Sequence, residues 1–408
     1  MDRKRIIGQH HQDDERYFLV LAKLFQKSGK IDKAIAVFLK ILEGDQENVK
    51  VHFDLASCYS KSKMYSSAVQ HFSKAFSLSG CIQVECLTNI AGIYIKLGDP
   101  SSALEHCEQA LCCLGSLCDG NRVEEEVGPL AMYNLNVALR QLGRQEEAVR
   151  ASWAVVMHAD ASQGGKNLGW SPVTQEHSAT TAKSLETICV VCVKWGVKYG
   201  PEYVNNLFAA IKRHMPPGPI VQYVCFTDDA TGIVSDSSIE ILPLPDSLDW
   251  SGWWWKAYLF SPTCPLKGRV WYFDLDTVII RSLEPLLSYK GRYATLTTSE
   301  MVNEQRQGGY NSSIMIWPAG EFSEVFTVLK SKYKAIHRSI YKFDHWLEMM
   351  IVQADLLQEH YPNLIAEYGC LKQCSHDLFP EECSIVCFPL QPKPHECLHI
   401  KWISENWA

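Results

Sequence analysis

The chain has 408 residues, of which 47% are hydrophobic and 21% charged, and its formal net charge at pH 7 is −7. This composition is typical of a globular protein with two or three domains, and the negative charge disfavours nucleic acid as a partner. No apolar run is long enough to form a membrane span, and the N-terminus lacks the apolar segment of a signal peptide. Sixteen cysteines in such a chain favour free thiols in the cytoplasm.

Residues 15–160 repeat one pattern of large and small hydrophobic residues with a period of about 34 residues. Small alanines let two helices approach closely, large side chains fill the groove between them, and a glycine or polar residue makes the turn. The recurring positions in the four copies are Leu21, Ala22, Phe25, Gly29, Ala34 and Phe38; Leu55, Ala56, Tyr59, Lys63, Ala68 and Phe72; Ile90, Ala91, Tyr94, Gly98, Ala103 and Cys107; and Leu135, Asn136, Leu139, Gly143 and Ala148.

This pattern resembles the tetratricopeptide repeat family over residues 15–160, with an insertion at about residues 112–128. The resemblance implies an all-α solenoid whose concave face binds a protein or peptide partner. A rigid spacer or a self-association surface is the alternative. Residues 1–14 form an N-terminal extension, and residues 161–184 are predicted to be a linker because they lose the periodicity and gather Ser, Thr, Gly and Pro.

Residues 185–408 are predicted to form an α/β domain. Strand-like runs at residues 188–193 and 221–227 flank a helical pattern at 203–211, and 239–242 is a third candidate strand. Such alternation favours a parallel sheet with its ligands at the carboxyl ends of the strands.

The run at residues 270–280 is apolar, β-branched and aromatic, and it predicts one buried strand interrupted by Asp274 and Asp276. Positions i and i+2 of a strand share a face, so both carboxylates should project together. Their oxygens suit Mn²⁺, Mg²⁺ or Ca²⁺. The alternative is ion pairing with Arg281 or Lys290.

The order of features from about residue 186 to 402 is similar to that of the GT-A nucleotide-sugar glycosyltransferases, closest to the glycogenin-like group, family eight. The segments that carry this resemblance are the first strand with Tyr199 beyond it, Lys256 in the aromatic run 253–260, Asp274 and Asp276, the Asn311 segment, Asp344, and the segment 387–394 with Lys393.

The resemblance implies an enzyme that transfers a sugar, with retention of configuration, from a nucleotide donor that is expected to be UDP-linked. A Mn²⁺ or Mg²⁺ ion on Asp274 and Asp276 would neutralise the departing diphosphate as a Lewis acid. Tyr199, Lys256, Asp274 and Lys393 are the expected nucleotide contacts. Asn311 and Asp344 are expected to act catalytically on the donor sugar by bonding its hydroxyls.

The chain departs from that family at three positions. Cys387 stands where the family has its third metal ligand, a histidine, and a thiol is a poor ligand for Mn²⁺ or Mg²⁺. His395 and His399 are possible replacements. Ser313 replaces the glycine of the Asn-Ser-Gly segment, and His345 replaces the glutamine after Asp344.

Three further interpretations remain. Residues 273–278 also resemble the first motif of haloacid-dehalogenase-type phosphatases, with Asp274 as nucleophile. The cysteines form a C-x₃-C…C-x₃-C series that suggests zinc, although structural zinc prefers tighter pairs; they are Cys370, Cys374, Cys383 and Cys387. The third is a non-catalytic tetratricopeptide adaptor with a degenerate glycosyltransferase domain.

Overall fold

The computed structural model of the protein describes residues 16–78, 82–116, 128–144, 147–148, 151, 187–299, 301–302, 308–340, 342–351, 353–374 and 383–407. The chain divides into two compact units, Met1–Gln163 and Gly164–Ala408. The extension 1–14 and the predicted linker 161–184 lie outside the described residues. None of the helices that the structure describes is long and apolar enough to cross a membrane.

The first unit is all-helical and consists of helix pairs that stack along the chain. Its helices are α1 (16–27), α2 (Ile31–Gly44), α3 (Val49–Lys61), α4 (Tyr65–Leu78), α5 (Gln83–Leu97), α6 (Pro100–Ser116) and α7 (Gly128–Gln141), and residues 147–148 and 151 are also helical. This order matches the predicted pairs as far as the described residues extend. The second half of the fourth repeat lies largely outside them.

The recurring small and large residues do the packing that their positions predict. The alanines at equivalent positions, Ala22, Ala34, Ala56, Ala68, Ala91 and Ala103, are fully buried. Phe38 packs with Ala22 and Leu55, which joins the first repeat to the second, and Phe72 packs with Ala56 and Ile90, which joins the second to the third. In the described residues, the first and second repeats therefore each bury apolar residues against the next one, as expected for a solenoid.

The turn between the two helices of each repeat uses one residue with left-handed backbone geometry. Three repeats place a glycine there, Gly29, Gly98 and Gly143, each with φ of 73°, whereas the second repeat places Lys63 with φ of 59°. A side chain beyond glycine costs free energy in this region because its Cβ approaches the following carbonyl oxygen. Lys63 is thus a strained position.

We expect Lys63→Gly to raise the free energy of unfolding of the first unit by about 0.5–1 kcal/mol, because relief of left-handed strain outweighs the added freedom of the unfolded chain. The matched control is Lys74→Gly, an exposed position inside α4 with helical geometry, which should cost about 1 kcal/mol. Urea denaturation, monitored by the circular dichroism signal of the helices, measures the change in the free energy of unfolding for both variants. Equal destabilisation by the two substitutions would contradict the strain at Lys63.

The second unit is an α/β structure built on a seven-stranded mixed sheet. Its strands are β1 (Thr187–Lys194), β2 (Ile220–Thr227), β3 (Ile239–Pro243), β4 (Arg269–Phe273), β6 (Ala294–Thr297), β7 (Tyr310–Pro318) and β8 (Asp355–Leu356), in the order β3-β2-β1-β4-β7-β6-β8. Strands β1 to β4 are mutually parallel, and β7 runs antiparallel to β4 and β6.

A small second sheet in the order β5-β10-β9 accompanies it, with β5 (Thr277–Ile279), β9 (Ile365–Glu367) and β10 (Ile385–Cys387). The helices of this unit are α8 (Pro201–His214), α9 (Glu284–Leu287), α10 (Glu324–Ser339), α11 (Phe343–Met350), α12 (Leu357–His360), α13 (Tyr368–Cys374) and α14 (Lys401–Trp407), and 3₁₀ helices span Gly252–Phe260 and Pro394–Cys397.

The strand predicted over residues 270–280 is two strands in two sheets, so this prediction was wrong. β4 ends at Phe273, a turn follows in which Thr277 N–H donates to the Asp274 carbonyl at 3.2 Å, and β5 begins at Thr277. Aspartate is unfavourable inside strands and favourable in turns. The two carboxylates therefore do not share a strand face, and each meets different partners.

Candidate functional site

The topology of the large sheet brings three segments to one edge. β1 and β4 are parallel neighbours, so their carboxyl ends meet, and β7 runs antiparallel to β4, so its start lies at the same edge. Tyr199 follows β1, Asp274 and Asp276 follow β4, and Asn311 is the second residue of β7.

The small sheet brings the segment that follows β10 to the same edge of the large sheet. β10 runs antiparallel to β5, with Cys387 opposite Thr277, so the chain leaving β10 passes Asp276. Phe388 N–H donates to the Asp276 carbonyl at 3.1 Å. The segment that follows carries Lys393, which explains how a residue so far along the chain reaches Asp276.

Asp274 is held by two groups of the same unit. Lys256 Nζ lies 2.7 Å from its Oδ1 and 2.9 Å from its Oδ2, and Tyr272 OH donates to Oδ1 at 2.5 Å. Lys256 comes from the 3₁₀ helix Gly252–Phe260 and is largely buried. Burial, together with the negative charge of Asp274, raises the pKa of Tyr272 well above its usual value, so its hydroxyl remains a donor.

Asp276 is more deeply buried, at 6% exposure, and also has a lysine partner. Lys393 Nζ lies 2.6 Å from Asp276 Oδ2, and Tyr199 OH donates to the same oxygen at 2.7 Å. Burial and the adjacent Asp276 charge raise the pKa of Tyr199, which keeps its proton on the phenol. The buried ammonium and the carboxylate compensate each other's charge.

The first residues of β7 link the Asp274 side of the site to α11. Asn311 Oδ1 accepts from Ser313 N–H at 3.0 Å, and Ser313 carbonyl accepts from Asp274 N–H at 2.8 Å. Asp344 Oδ1 accepts from Ser312 N–H at 2.9 Å, and Ser312 Oγ accepts from Lys256 Nζ at 3.0 Å. The Asp274 side of the predicted site is thus one connected network.

All seven candidate residues therefore lie at the carboxyl edge of β4 or bond to residues there: Tyr199, Lys256, Asp274, Asp276, Asn311, Asp344 and Lys393. The basic partners of the two aspartates are Lys256 and Lys393. The alternative expected ion pairs with Arg281 or Lys290; both aspartates are ion-paired, and the partners that the structure shows are these two lysines.

Several contributors to this site had not been predicted. Tyr272 lies in β4 two positions before Asp274, which directly follows that strand, so the alternation of side chains along β4 could have indicated it. Lys198 neighbours Tyr199, and its Nζ lies 4.9 Å from the Tyr199 ring centroid. Tyr203 of α8 bonds His395, and Glu396 Oε2 accepts from Lys393 N–H at 2.6 Å; no sequence pattern connects such distant positions.

The aromatic run before Lys256 divides between core and surface. Trp254 and Trp255 are buried, whereas Trp253 is 48% exposed. The segment is a 3₁₀ helix, and Trp254 packs edge-on against Phe343 at the start of α11. These contacts fix the backbone from which Lys256 extends.

The arrangement does not fit a divalent metal ion. Both aspartates are paired with lysine ammonium groups, and within the described ranges no three histidine, cysteine, aspartate or glutamate side chains are grouped to hold a metal. Cys387 is 1% exposed, and burial followed by the charges of Asp276 and Asp274 raises its thiol pKa well above the usual value. His395 is bonded to Tyr203. The predicted Mn²⁺ or Mg²⁺ remains a prediction from the sequence.

The cysteine series does not converge where its side chains are described. Cys383 Sγ donates to the Ile385 carbonyl at 2.9 Å, and Cys370 Sγ contacts Glu367 Oε2 at 3.5 Å. The side chain of Cys374 lies outside the described residues. Each of these thiols has a local partner of its own, which gives no support to a shared zinc ion.

Comparison with known proteins concerns the repeats. Residues 84–111, which cover most of α5 and α6, match a model of the tetratricopeptide repeat. No curated protein matches the chain.

Among solved structures the chain is similar to BtubC from P. vanneervenii (18% identity, 40% of this chain, 71% of that chain, TM-score 0.34). It is also similar to YrrB, a TPR protein with an unusual peptide-binding site (21% identity, 40% of this chain, 78% of that chain, TM-score 0.29). A third similar structure is MamA from Desulfovibrio magneticus RS-1 (12% identity, 36% of this chain, 81% of that chain, TM-score 0.31).

Proposed function

We propose that the second unit binds a nucleotide sugar at the carboxyl edge of β4 and transfers its glycosyl group to an acceptor. The observation that carries this proposal is the convergence of two acids and two buried lysines at that edge, with Asn311 and Asp344 bonded into the same network. Ligands of open α/β sheets bind outside the carboxyl ends of the strands. The order of these residues along the chain also resembles that of the GT-A enzymes.

The chemistry requires stabilisation of a leaving group. The bond between the anomeric carbon and the diphosphate oxygen breaks, the diphosphate leaves with the electron pair, and an acceptor hydroxyl forms the new bond and passes its proton to water. Fixed ammonium groups stabilise the negative charge that develops on the diphosphate, and they act strongly where water is excluded. Lys393, at 4% exposure, meets that condition.

Asn311 and Asp344 are proposed to bind hydroxyls of the donor sugar. Each already uses one side-chain oxygen to accept a backbone N–H of the β7 segment, which fixes its orientation. A carboxylate has a second oxygen and a carboxamide has an NH₂ group, so both can bond a ligand while keeping that contact.

We propose that the helical repeats bind a protein or peptide segment, which includes the acceptor or a partner that delivers it. The match of residues 84–111 to the tetratricopeptide model and the stacked helix pairs support this proposal. A cytoplasmic setting is part of the proposal, and it is supported by the absence of a disulfide among the described cysteines.

A second candidate function is a tetratricopeptide adaptor whose second unit has lost catalysis. The favouring observation is the Asp276–Lys393 ion pair, because a carboxylate already neutralised by a buried ammonium is not prepared for a metal ion. The two functions differ in whether the second unit recognises a nucleotide.

The test is incubation of the full chain with a panel of UDP- and GDP-sugars, with Mn²⁺ or with EDTA, while released nucleotide and the melting temperature are recorded. We expect hydrolysis of one donor class and an increase in melting temperature with the corresponding nucleotide, since ligands that bind only the folded state stabilise it. The absence of both effects for every nucleotide would overturn the transferase proposal and favour the adaptor.

A further inference from the structure

Two lysine ammonium groups lie near the ring of Tyr199. Lys393 Nζ is 5.9 Å from the ring centroid, and Lys198 Nζ is 4.9 Å from it. Tyr199 OH donates to Asp276 Oδ2, and the negative charges of Asp276 and Asp274 both act on this phenol. The two ammonium groups are thus cations beside the ring that an anionic ligand could contact.

Lys393 retains hydrogen-bonding capacity. An ammonium group has three N–H donors, and in the part of the chain that is described Lys393 Nζ bonds Asp276 Oδ2 and the Phe388 carbonyl, both at 2.6 Å. One donor is left for a ligand oxygen. Asp276 and Phe388 fix the direction of the ammonium, which makes both of them positioning groups.

Lys256 differs in this respect. Its ammonium contacts both oxygens of Asp274, and it also donates to Ser312 Oγ at 3.0 Å and to the Ser312 carbonyl at 3.3 Å. Its donors are used within the protein. Lys256 therefore orients Asp274 and the start of β7. The cations that remain to contact an anionic ligand are Lys198 and Lys393, beside Tyr199.

A dication at Asp276 would compete with Lys393 for the same oxygen. The ammonium is 2.6 Å from Oδ2 and buried, so a metal ion bound there would lie against a fixed positive charge or would displace it. Like charges at such distances repel strongly when water is excluded. The buried lysine supplies from the protein the charge neutralisation that a metal ion would otherwise supply.

We propose that Lys198 and Lys393 hold the diphosphate of a nucleoside diphosphate beside the Tyr199 ring, and that this binding needs no divalent cation. The inference depends on the proposed nucleotide-sugar function and specifies its cofactor requirement. Lys198 is exposed and approaches the ligand from the solvent side, whereas Lys393 contacts it from the buried side.

The experiment measures UDP and GDP binding to the full chain by calorimetry, in EDTA and in MnCl₂. We expect an equal Kd in the two buffers for the nucleotide that binds. Lys198→Ala should weaken binding about 3- to 10-fold, because an exposed charge contact is partly screened. Lys401→Ala, at a lysine whose side chain is 87% exposed, is the matched control and should leave the Kd unchanged.

The contribution of Lys393 to binding is tested in a variant that does not leave the buried Asp276 carboxylate without its ion-pair partner. The double substitution Lys393→Met with Asp276→Asn removes both charges, and it should weaken nucleotide binding in EDTA by about 10- to 100-fold, the range for a lost charged hydrogen bond. An unchanged melting temperature shows that the variant is folded. Lys393→Arg, which keeps the charge, should recover part of the affinity.

The outcomes separate the inference from the proposed function. Binding that is equal in EDTA and weakened by both lysine substitutions supports the inference. Binding that requires Mn²⁺, or that neither lysine substitution changes, overturns it and leaves the nucleotide-sugar proposal standing. Absence of binding to UDP and GDP in either buffer counts against the proposed function itself.

Discussion

Replacing Lys393 with methionine is expected to lower the free energy of unfolding of the second unit by about 3–5 kcal/mol, the range for a buried ion pair that loses one partner. Asp276 would then lie at 6% exposure with its charge uncompensated except by the Tyr199 hydroxyl. Methionine keeps the length of the lysine stem, so the packing of the chain around Phe388 changes little.

The double substitution Lys393→Met with Asp276→Asn should restore most of that loss. A buried neutral amide carries a much smaller desolvation penalty than an unpaired carboxylate, and replacing a whole buried pair is often neutral or stabilising. The side-chain carbonyl oxygen of the asparagine can still accept a hydrogen bond from the Tyr199 hydroxyl. A large positive coupling energy in this double-mutant cycle is the expected sign of the ion pair.

Tryptophan fluorescence during urea denaturation measures the effect selectively, because every tryptophan except Trp153 lies in the second unit. Lys401→Met is the control, since Lys401 is exposed and 3.8 Å from Glu405, and it should change stability by less than about 0.5 kcal/mol. A loss at Lys393→Met no larger than this control would contradict the buried pair.

The sequence predicted the repeats well because their signal is local. Each pair of alanines and each glycine turn lies within one period of about 34 residues, and the side chains meet neighbours only one repeat away. The same analysis indicated that a glycine or a polar residue makes the turn, which Gly98 and Lys63 confirm. Lys63 occupies the turn position that Gly98 holds in the third repeat, but residue type alone does not give its φ of 59°.

The sequence indicated the separate segments of the second unit, but it did not indicate which side chains of those segments contact one another. The residue types at Asp274 and Asp276 indicated a pair of neighbouring carboxylates, yet their pairing with Lys256 and Lys393 depends on chain separations of 18 and 117 residues. The antiparallel pairing of β5 with β10 brings the segment with the second lysine back to Asp276. An isolated Asp-x-Asp motif gives no information about which basic residue pairs with each aspartate.

The two lysines illustrate why contacts are needed to assign roles. From the sequence each was expected to contact the nucleotide sugar, because both match segments of the same resemblance. Lys256 uses its donors on Asp274 and Ser312, whereas Lys393 has one to spare. The difference follows from local crowding around the ammonium groups, which residue type does not encode.

The second large effect concerns Asp344. We expect Asp344→Asn to lower kcat/KM for donor hydrolysis by about 10- to 100-fold, because the carboxamide removes the negative charge and one acceptor that would bond the donor sugar. The fold should be retained, since the asparagine carbonyl can still accept Ser312 N–H, which the carboxylate accepts at 2.9 Å.

The same helix offers a matched control one turn later. Glu348 Oε1 accepts Tyr310 N–H at 2.8 Å, so Glu348→Gln makes the same chemical change to the same kind of contact, from α11 to the start of β7. Glu348 is 1% exposed, and its substitution should leave kcat/KM unchanged when the melting temperature is unchanged. If both variants lose activity equally, Asp344 supports β7 as a structural residue only. If Asp344→Asn alone is affected, and its loss persists at a saturating concentration of the donor sugar nucleotide, the carboxylate acts on the sugar. The loss from a group that only shaped the nucleotide pocket would be compensated by a higher donor concentration.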